Sequence, residues 1–180
     1  ASMQSEVAQT ITDAKTNIQQ IKYNAVGTNL LTNSDFSAGL NGYGINSGSN
    51  SDGKVVVTTD SDGDACIHIT GTGQACGIYC SPVYFDQNQI TTGSLLVKGI
   101  GVLNLAGLEN RPASNFGTIS TESYSKVGST MQARSNTNSF VAYFNPVNNV
   151  LDVYIKFIKL EKGSIATDYS LNPAEIASNE

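Results

Sequence analysis

The chain has 180 residues, a formal net charge of −5 and a charged fraction of only 14%. The acidic balance and the absence of any Lys/Arg cluster exclude a nucleic-acid backbone as the partner, because that surface needs several phosphate-neutralising cations. No apolar run approaches the ~20 residues that cross a bilayer, so no membrane insertion is expected.

Residues 1–27 read as a helical appendage. Val7, Ile11, Ala14, Ile18, Ile21 and Ala25 recur at spacings of four and three, with Gln, Thr and Asn between them, and Gly27 is a suitable stop. An isolated helix of this length is marginal in water, so the stripe must pack on something. Two packings compete: against the chain's own body, or in a parallel coiled coil. For the coiled coil, Ile11 and Ile18 at one core position and Ile21 at the other lean toward three strands. Ala1 and Ser2 before an already helical pattern, and the end at Glu180, suggest a piece of a longer polypeptide.

Residues 28–173 read as one all-β domain. After Asn29-Leu30-Leu31, the turn-rich stretch to Gly44 places Phe36 and Leu40 as plugs at one end of the core. Lys54–Thr59, Ala65–Thr70 and Ala75–Cys80 suggest a three-strand meander. Ser94–Ile100, four short runs between Gly117 and Asn145, and Leu151–Gly163 supply the rest, in all about eight to ten short strands without an internal helix. In the last strand Leu151, Val153, Ile155 and Phe157 alternate with Asp152, Tyr154 and Lys156, which is the two-residue period of a half-buried strand. The alternation slips where Ile158 follows Phe157, so a bulge or burial on both faces is expected. The class is a jelly-roll β-sandwich with an N-terminal α-helix, and residues 174–180 begin a linker or a further helix.

Three segments carry a resemblance. Asn29-Leu30-Leu31-Thr32-Asn33-Ser34-Asp35-Phe36-Ser37-Ala38-Gly39-Leu40-Asn41-Gly42-Tyr43, then Ser81-Pro82-Val83-Tyr84-Phe85, then Lys159-Leu160-Glu161-Lys162-Gly163-Ser164-Ile165-Ala166-Thr167-Asp168-Tyr169-Ser170, resemble the opening, middle and closing signatures of carbohydrate-binding-like jelly-roll modules in bacteriophage tail and baseplate proteins. The resemblance implies a non-catalytic β-sandwich in the virion tail or baseplate, often homotrimeric, that touches host cell-wall polysaccharide and neighbouring tail subunits. It implies no obligatory cofactor, and it directs attention to Asp35 for a structural calcium. A spacer or trimerisation domain without sugar binding, and a calcium-stabilised bacterial adhesion domain, remain alternatives.

The residues themselves offer three constellations. Asp60, Asp62 and Asp64 place alternate carboxylates on one turn, which can converge on a hard cation or stand as a solvated acidic turn; calcium wants about six to eight oxygens. For saccharide, the requirement is a flat ring face beside planar hydrogen-bonding side chains. Tyr43, Tyr79, Tyr124, Tyr143 and Tyr154 are the platforms, and with no tryptophan in the chain any binding should be weak and multivalent. Tyr143 and Tyr154 fall in consecutive strands and can share a sheet face. Arg134, Asn136 and Asn138 would form a polar rim there, with Arg111 in a separate loop; each Tyr equally fits a rim residue whose hydroxyl reaches water. Cys66 and Cys76 flank Gly71-Thr72-Gly73, where a hairpin would set them opposite each other; reduced, partly buried thiols are expected. The lone His68 lies between Ile67 and Ile69 as a strand residue, and no Gly-x-Ser-x-Gly turn or placed carboxylate pair marks a catalytic centre.

Overall fold

The structure is a computed structural model that describes residues 2–24, 27–108 and 117–177. Ala25, Arg111 and the side chains of Ile18 and Ile21 lie outside the described residues. In chain order the elements are α1 (Met3–Asn24), β1 (Gly44–Ser47), β2 (Lys54–Thr59), β3 (Ala65–Gly71), β4 (Cys76–Tyr84), β5 (Ile90–Leu108), β6 (Thr118–Gln132), β7 (Thr137–Asn145), β8 (Leu151–Lys162) and α2 (Pro173–Ala177).

The long strand β5 makes the sandwich. Along one edge it pairs first with β8, from Thr91 to Ile100, and then with β7, from Val102 to Leu108. Along its other edge it carries β6. Midway it bends back over itself: a Cβ added at Gly93 would stand 2.5 Å from the Ala106 carbonyl oxygen. One layer is therefore β6-β5-β8-β3-β2 and the other is β5-β7-β4-β1, all pairs antiparallel. Ile67, Ile69, Val97, Val153 and Ile155 from the first layer meet Ile78, Leu103, Phe140, Ala142 and Phe144 from the second, and Phe36 closes one end. The fold is an all-β jelly-roll sandwich with an N-terminal helix.

β8 shows why the sequence alternation slips. Phe157 adopts a left-handed backbone (φ 54°), and the pairing with β5 shifts by one residue between Ser94 and Leu96. After this bulge Ile158 and Leu160 take over the core positions, while Phe157 leaves the core to stack on Tyr169 at 4.7 Å. The opposite face of β8 is covered as well, since Lys156, Lys159 and Glu161 are all buried.

The expected meander holds only for β2 and β3. β3 pairs next with β8, and β4 pairs with β1 and β7, so β3 and β4 belong to different layers. Cys66 and Cys76 are thus not opposed in a hairpin; both are free, buried thiols, and burial pushes both above the ordinary thiol range. The first three of the four short runs expected between Gly117 and Asn145 merge into β6, because Ser and Thr on an edge strand keep pairing with β5 even where their outer faces are wet, and the fourth is β7. On α1, Val7 and Ile11 are half exposed and Ala14 is exposed, so this part of the stripe is not covered by the chain's own sandwich.

Candidate functional site

In the first layer, residues that alternate with the core point to the outer face. His68 sits between Ile67 and Ile69, Tyr154 between Val153 and Ile155, and Lys98 beside Val97, all of those neighbours being fully buried. Register then aligns them: Val56 opposes His68, His68 opposes Tyr154, and Tyr154 opposes Lys98. The adjacent row runs Thr70, Asp152, Ile100, Ser120. A polar and aromatic patch four strands wide therefore follows from alternation plus register.

Its side chains are mutually fixed. The His68 and Tyr154 rings lie parallel, 4.2 Å apart and within 1°. His68 Nε2 meets Asp152 Oδ1 at 2.7 Å, which holds the imidazole flat against the tyrosine. On the other side of Tyr154, the Lys98 ammonium stands 5.4 Å from its ring centre and 4.9 Å from that of Tyr124. A cleft of about 590 Å³ opens here, between β8, β5 and the Ser120–Glu122 part of β6. Gly99 forms its floor with φ 111°, and a Cβ there would stand 2.0 Å from the Asp152 carbonyl oxygen. The cleft offers the Tyr154 ring, with His68 on one face and the Lys98 ammonium over the other, carboxylates at Asp152 and Glu122 as acceptors, Lys98 as a donor, a Ser120 hydroxyl that serves as either, and a Thr121 hydroxyl that is left to accept because it donates to the Ser123 carbonyl at 2.9 Å. That is the equipment for hydrogen-bonding a hydroxyl-rich ligand beside an aromatic ring.

Of the sequence-predicted binding residues, the structure brings together Tyr154 and Tyr124, joined through Lys98. Burial, with Cys66 and Asp60 nearby, pushes the Tyr124 hydroxyl above its usual range. Tyr143 is elsewhere: β5 intervenes between β7 and β8, and Tyr143 opposes Gly77 of β4 in the other layer. Arg134, Asn136 and Asn138 lie at the β6–β7 connection. The stretch of β5 from Ile100 to Ile90 separates them from the cleft, roughly 33 Å of strand. There Arg134 is exposed, Asn136 Oδ1 accepts the Gln87 N–H at 2.9 Å, and buried Asn138 donates to the Ser135 carbonyl at 2.9 Å. His68, Lys98, Asp152 and Glu122 were not singled out from sequence; the outward parity of His68 and Asp152 was the available signal, and their neighbours came only with register.

The acidic turn between β2 and β3 lies over the same outer face. Carboxylate oxygens of Asp60, Asp62 and Asp64 fall within 4.8 Å of one another, close enough to gather on one cation. The Lys156 ammonium stands among them, at 2.7, 3.1 and 2.8 Å respectively. Burial alone would raise the Asp60 carboxyl, but Lys156 and the N–H groups of Asp64 and Asp62 outweigh it and hold it at about 2. For Lys156, burial works against the charge and the three carboxylates win, lifting the ammonium above the ordinary lysine range.

No protein-family model matches the chain, and no curated protein matches it in sequence. The fold recurs among solved structures. The chain is similar to the arabinose-bound α-L-arabinofuranosidase MgGH51, with a TM-score of 0.58 and 15% identity over 79% of this chain and 27% of that one. It is similar to the CBM22-1 xylan-binding domain of Paenibacillus barcinonensis Xyn10C, with a TM-score of 0.55 and 15% identity over 78% of this chain and 98% of that one. It is also similar to the enzymatically active domain of bacteriophage CBA120 tailspike protein 4, with a TM-score of 0.53 and 8% identity over 75% of this chain and 21% of that one. The chain thus spans about a quarter of the arabinofuranosidase and a fifth of the tailspike, and nearly all of the xylan-binding domain. At these identities the likeness is one of fold alone: a jelly-roll sandwich that also occurs in a xylan-binding domain.

Proposed function

We propose that this domain is a non-catalytic recognition module that holds a host cell-wall polysaccharide in the Tyr154 cleft, within a phage tail or baseplate. The observation that carries the reading is the Tyr154 ring, locked parallel to His68 and bordered by Asp152, Lys98 and Glu122 at the mouth of a cleft. Once the flexible Lys98 side chain swings off it, the ring face opposite His68 takes the apolar side of a pyranose, while the charged and hydroxyl groups around it read the sugar hydroxyls. The fold shared with a xylan-binding domain and a phage tailspike, and the signature segments at Asn29–Phe36 and Lys159–Ser170, support the class of partner and the setting.

Architecture supports presentation of the cleft. The stem side of the domain is fixed at the far end of β8: Leu30 N–H donates to the Leu160 carbonyl at 2.9 Å, and Ser170 Oγ reaches the Gly27 carbonyl at 3.5 Å. The cleft uses Asp152 and Tyr154, at the opening end of the same strand. The half-exposed Val7 and Ile11 favour assembly of α1 with further copies, as a homotrimer. They equally favour the second reading, a trimerising spacer that binds no sugar.

Pull-down on cell-wall polysaccharide from permissive hosts, followed by titration with its soluble fragments, tests the assignment. Tyr154→Ala should weaken binding at least about tenfold, the loss of one good stacking contact, while Tyr143→Ala and Arg134→Ala leave it unchanged. Retained binding in Tyr154→Ala with loss in Arg134→Ala would move the site to the β6–β7 end. A folded wild type that ignores every wall preparation would leave the spacer.

A further inference from the structure

The family resemblance directs attention to Asp35 for a structural calcium, and the spacing of Asp60, Asp62 and Asp64 offers a second acidic candidate, yet at both places carboxylate oxygens are already engaged. Asp35 Oδ1 accepts the N–H and the hydroxyl of Ser37, at 3.1 and 2.8 Å, as a local turn cap. At the β2–β3 turn, each of the three ammonium protons of Lys156 has its own carboxylate, on Asp60, Asp62 and Asp64. The second oxygen of Asp60 is spent on the N–H groups of Asp62 and Asp64, at 2.9 and 3.1 Å. Lys156 is only 3% exposed, and the Tyr124 ring closes the remaining side at 4.5 Å from its Nζ.

A second ammonium on the same face of β8 is buried too, with neutral oxygens as its hydrogen-bond partners. Lys159, 1% exposed, donates to Thr167 Oγ1 at 2.9 Å and to the Asp168 carbonyl at 2.6 Å. Glu161, fully buried, accepts the hydroxyl and the N–H of that Thr167, at 2.6 and 3.2 Å. Each lysine therefore ties a loop to the outer face of β8 through oxygen acceptors: the acidic turn in one case, the closing segment in the other.

We propose that the Lys156 ammonium is a tethered cation that occupies the acidic turn in place of a metal ion, as Lys159 fixes the closing segment, so that neither place needs a divalent cation. A hard divalent ion wants about six to eight oxygens, and entering the turn would require expelling an ammonium with three bonds. Without that ammonium, three carboxylates would crowd one another with no counter-charge, and a divalent ion would relieve the repulsion.

The test is thermal unfolding of the purified chain with EGTA and with millimolar calcium chloride, for wild type and for Lys156→Met, which keeps the buried stem and removes the charge. The wild-type midpoint should differ by less than about 1 °C between the two conditions, and dialysed protein should retain no stoichiometric metal by elemental analysis. Lys156→Met should melt lower in EGTA and regain about 3 °C or more in calcium, in proportion to ligand occupancy. Lys156→Arg, which keeps a cation, should show no calcium response. Chelator-induced loss of stability in the wild type, or one retained equivalent of calcium, would overturn the proposal. So would a folded Lys156→Met that ignores calcium. If Lys156→Met does not fold in either condition, the wild-type measurements and Lys156→Arg decide.

Discussion

Asp60 is the residue on which the acidic turn depends, because it alone bonds both the Lys156 ammonium and two backbone N–H groups. Its depressed pKa makes this a statement about stability. A carboxyl held at about 2 when folded, against about 3.9 when unfolded, contributes stability that is complete above the unfolded value and is lost as pH falls through the folded one. Lys156 has the opposite sign: its raised folded value leaves its contribution complete below about 10.4 and lost only in strong alkali. The stability difference between wild type and Asp60→Asn, measured as urea midpoints, should therefore be constant from about pH 5 to 9 and shrink below about pH 4. A difference that changes through neutral pH would mean that another group controls the turn. From the sequence, Asp60-Ser61-Asp62-Gly63-Asp64 was legible as a cation-gathering turn. The cation was not, because Lys156 lies far along the chain and reaches the turn only through the pairing of β3 with β8.

At the level of elements, the opening and closing signature segments are parts of one clasp. Asn29, fully buried, donates through Nδ2 to Ser34 Oγ and to the carbonyls of Ile158 and Ser170, at 3.1, 3.0 and 2.9 Å. Its Oδ1 accepts the N–H groups of Leu31 and Leu160, at 3.1 and 3.2 Å. One amide thus reinforces the backbone bonds from Leu30 N–H to the Leu160 carbonyl and from Ile158 N–H to the Ser34 carbonyl that join the opening segment to β8, and the closing segment is drawn in by Lys159 and Glu161. Asn29→Ala would strand buried carbonyls and N–H groups together, at a cost of about 2–4 kcal/mol. Urea unfolding should show it, and a loss under about 1 kcal/mol would mean that water replaces the amide. The helix and β8 were readable because their periods are local: Val7 to Ala14 repeats on one face, and the slip at Phe157-Ile158 announced the bulge. Partner choice was not local. β7 and β8 are joined by a short turn, yet β5 separates them in space, and so Tyr143 and Tyr154, which look like neighbours along the chain, never meet. Lys159 and Glu161 read in sequence as parts of a recognisable signature, and only the overlying Thr167 segment reveals why both charges are buried.

At the scale of the whole molecule, the proposed stem and the proposed binding cleft are separate places joined through β8. α1 leads into Gly27, whose carbonyl meets Ser170 beside the clasp. The cleft lies roughly 20 Å away along β8, between Tyr154 and Leu160. If three copies join through α1, three clefts act on one polymer, and each additional engagement becomes intramolecular. The double variant Val7→Asp/Ile11→Asp separates assembly from recognition. Both side chains are half exposed in the single chain, so the sandwich should keep its unfolding midpoint while sedimentation velocity falls to a monomer. Affinity for a short soluble fragment should then equal that of the wild type, because no cleft residue has changed. Retention on intact cell wall should drop about a hundredfold or more, since only linkage of sites has been removed. A variant that remains trimeric would place the assembly contact on the sandwich instead of α1. A monomer that binds wall as well as the wild type would show that one Tyr154 cleft suffices, and that the stem serves only to fix the domain in the particle.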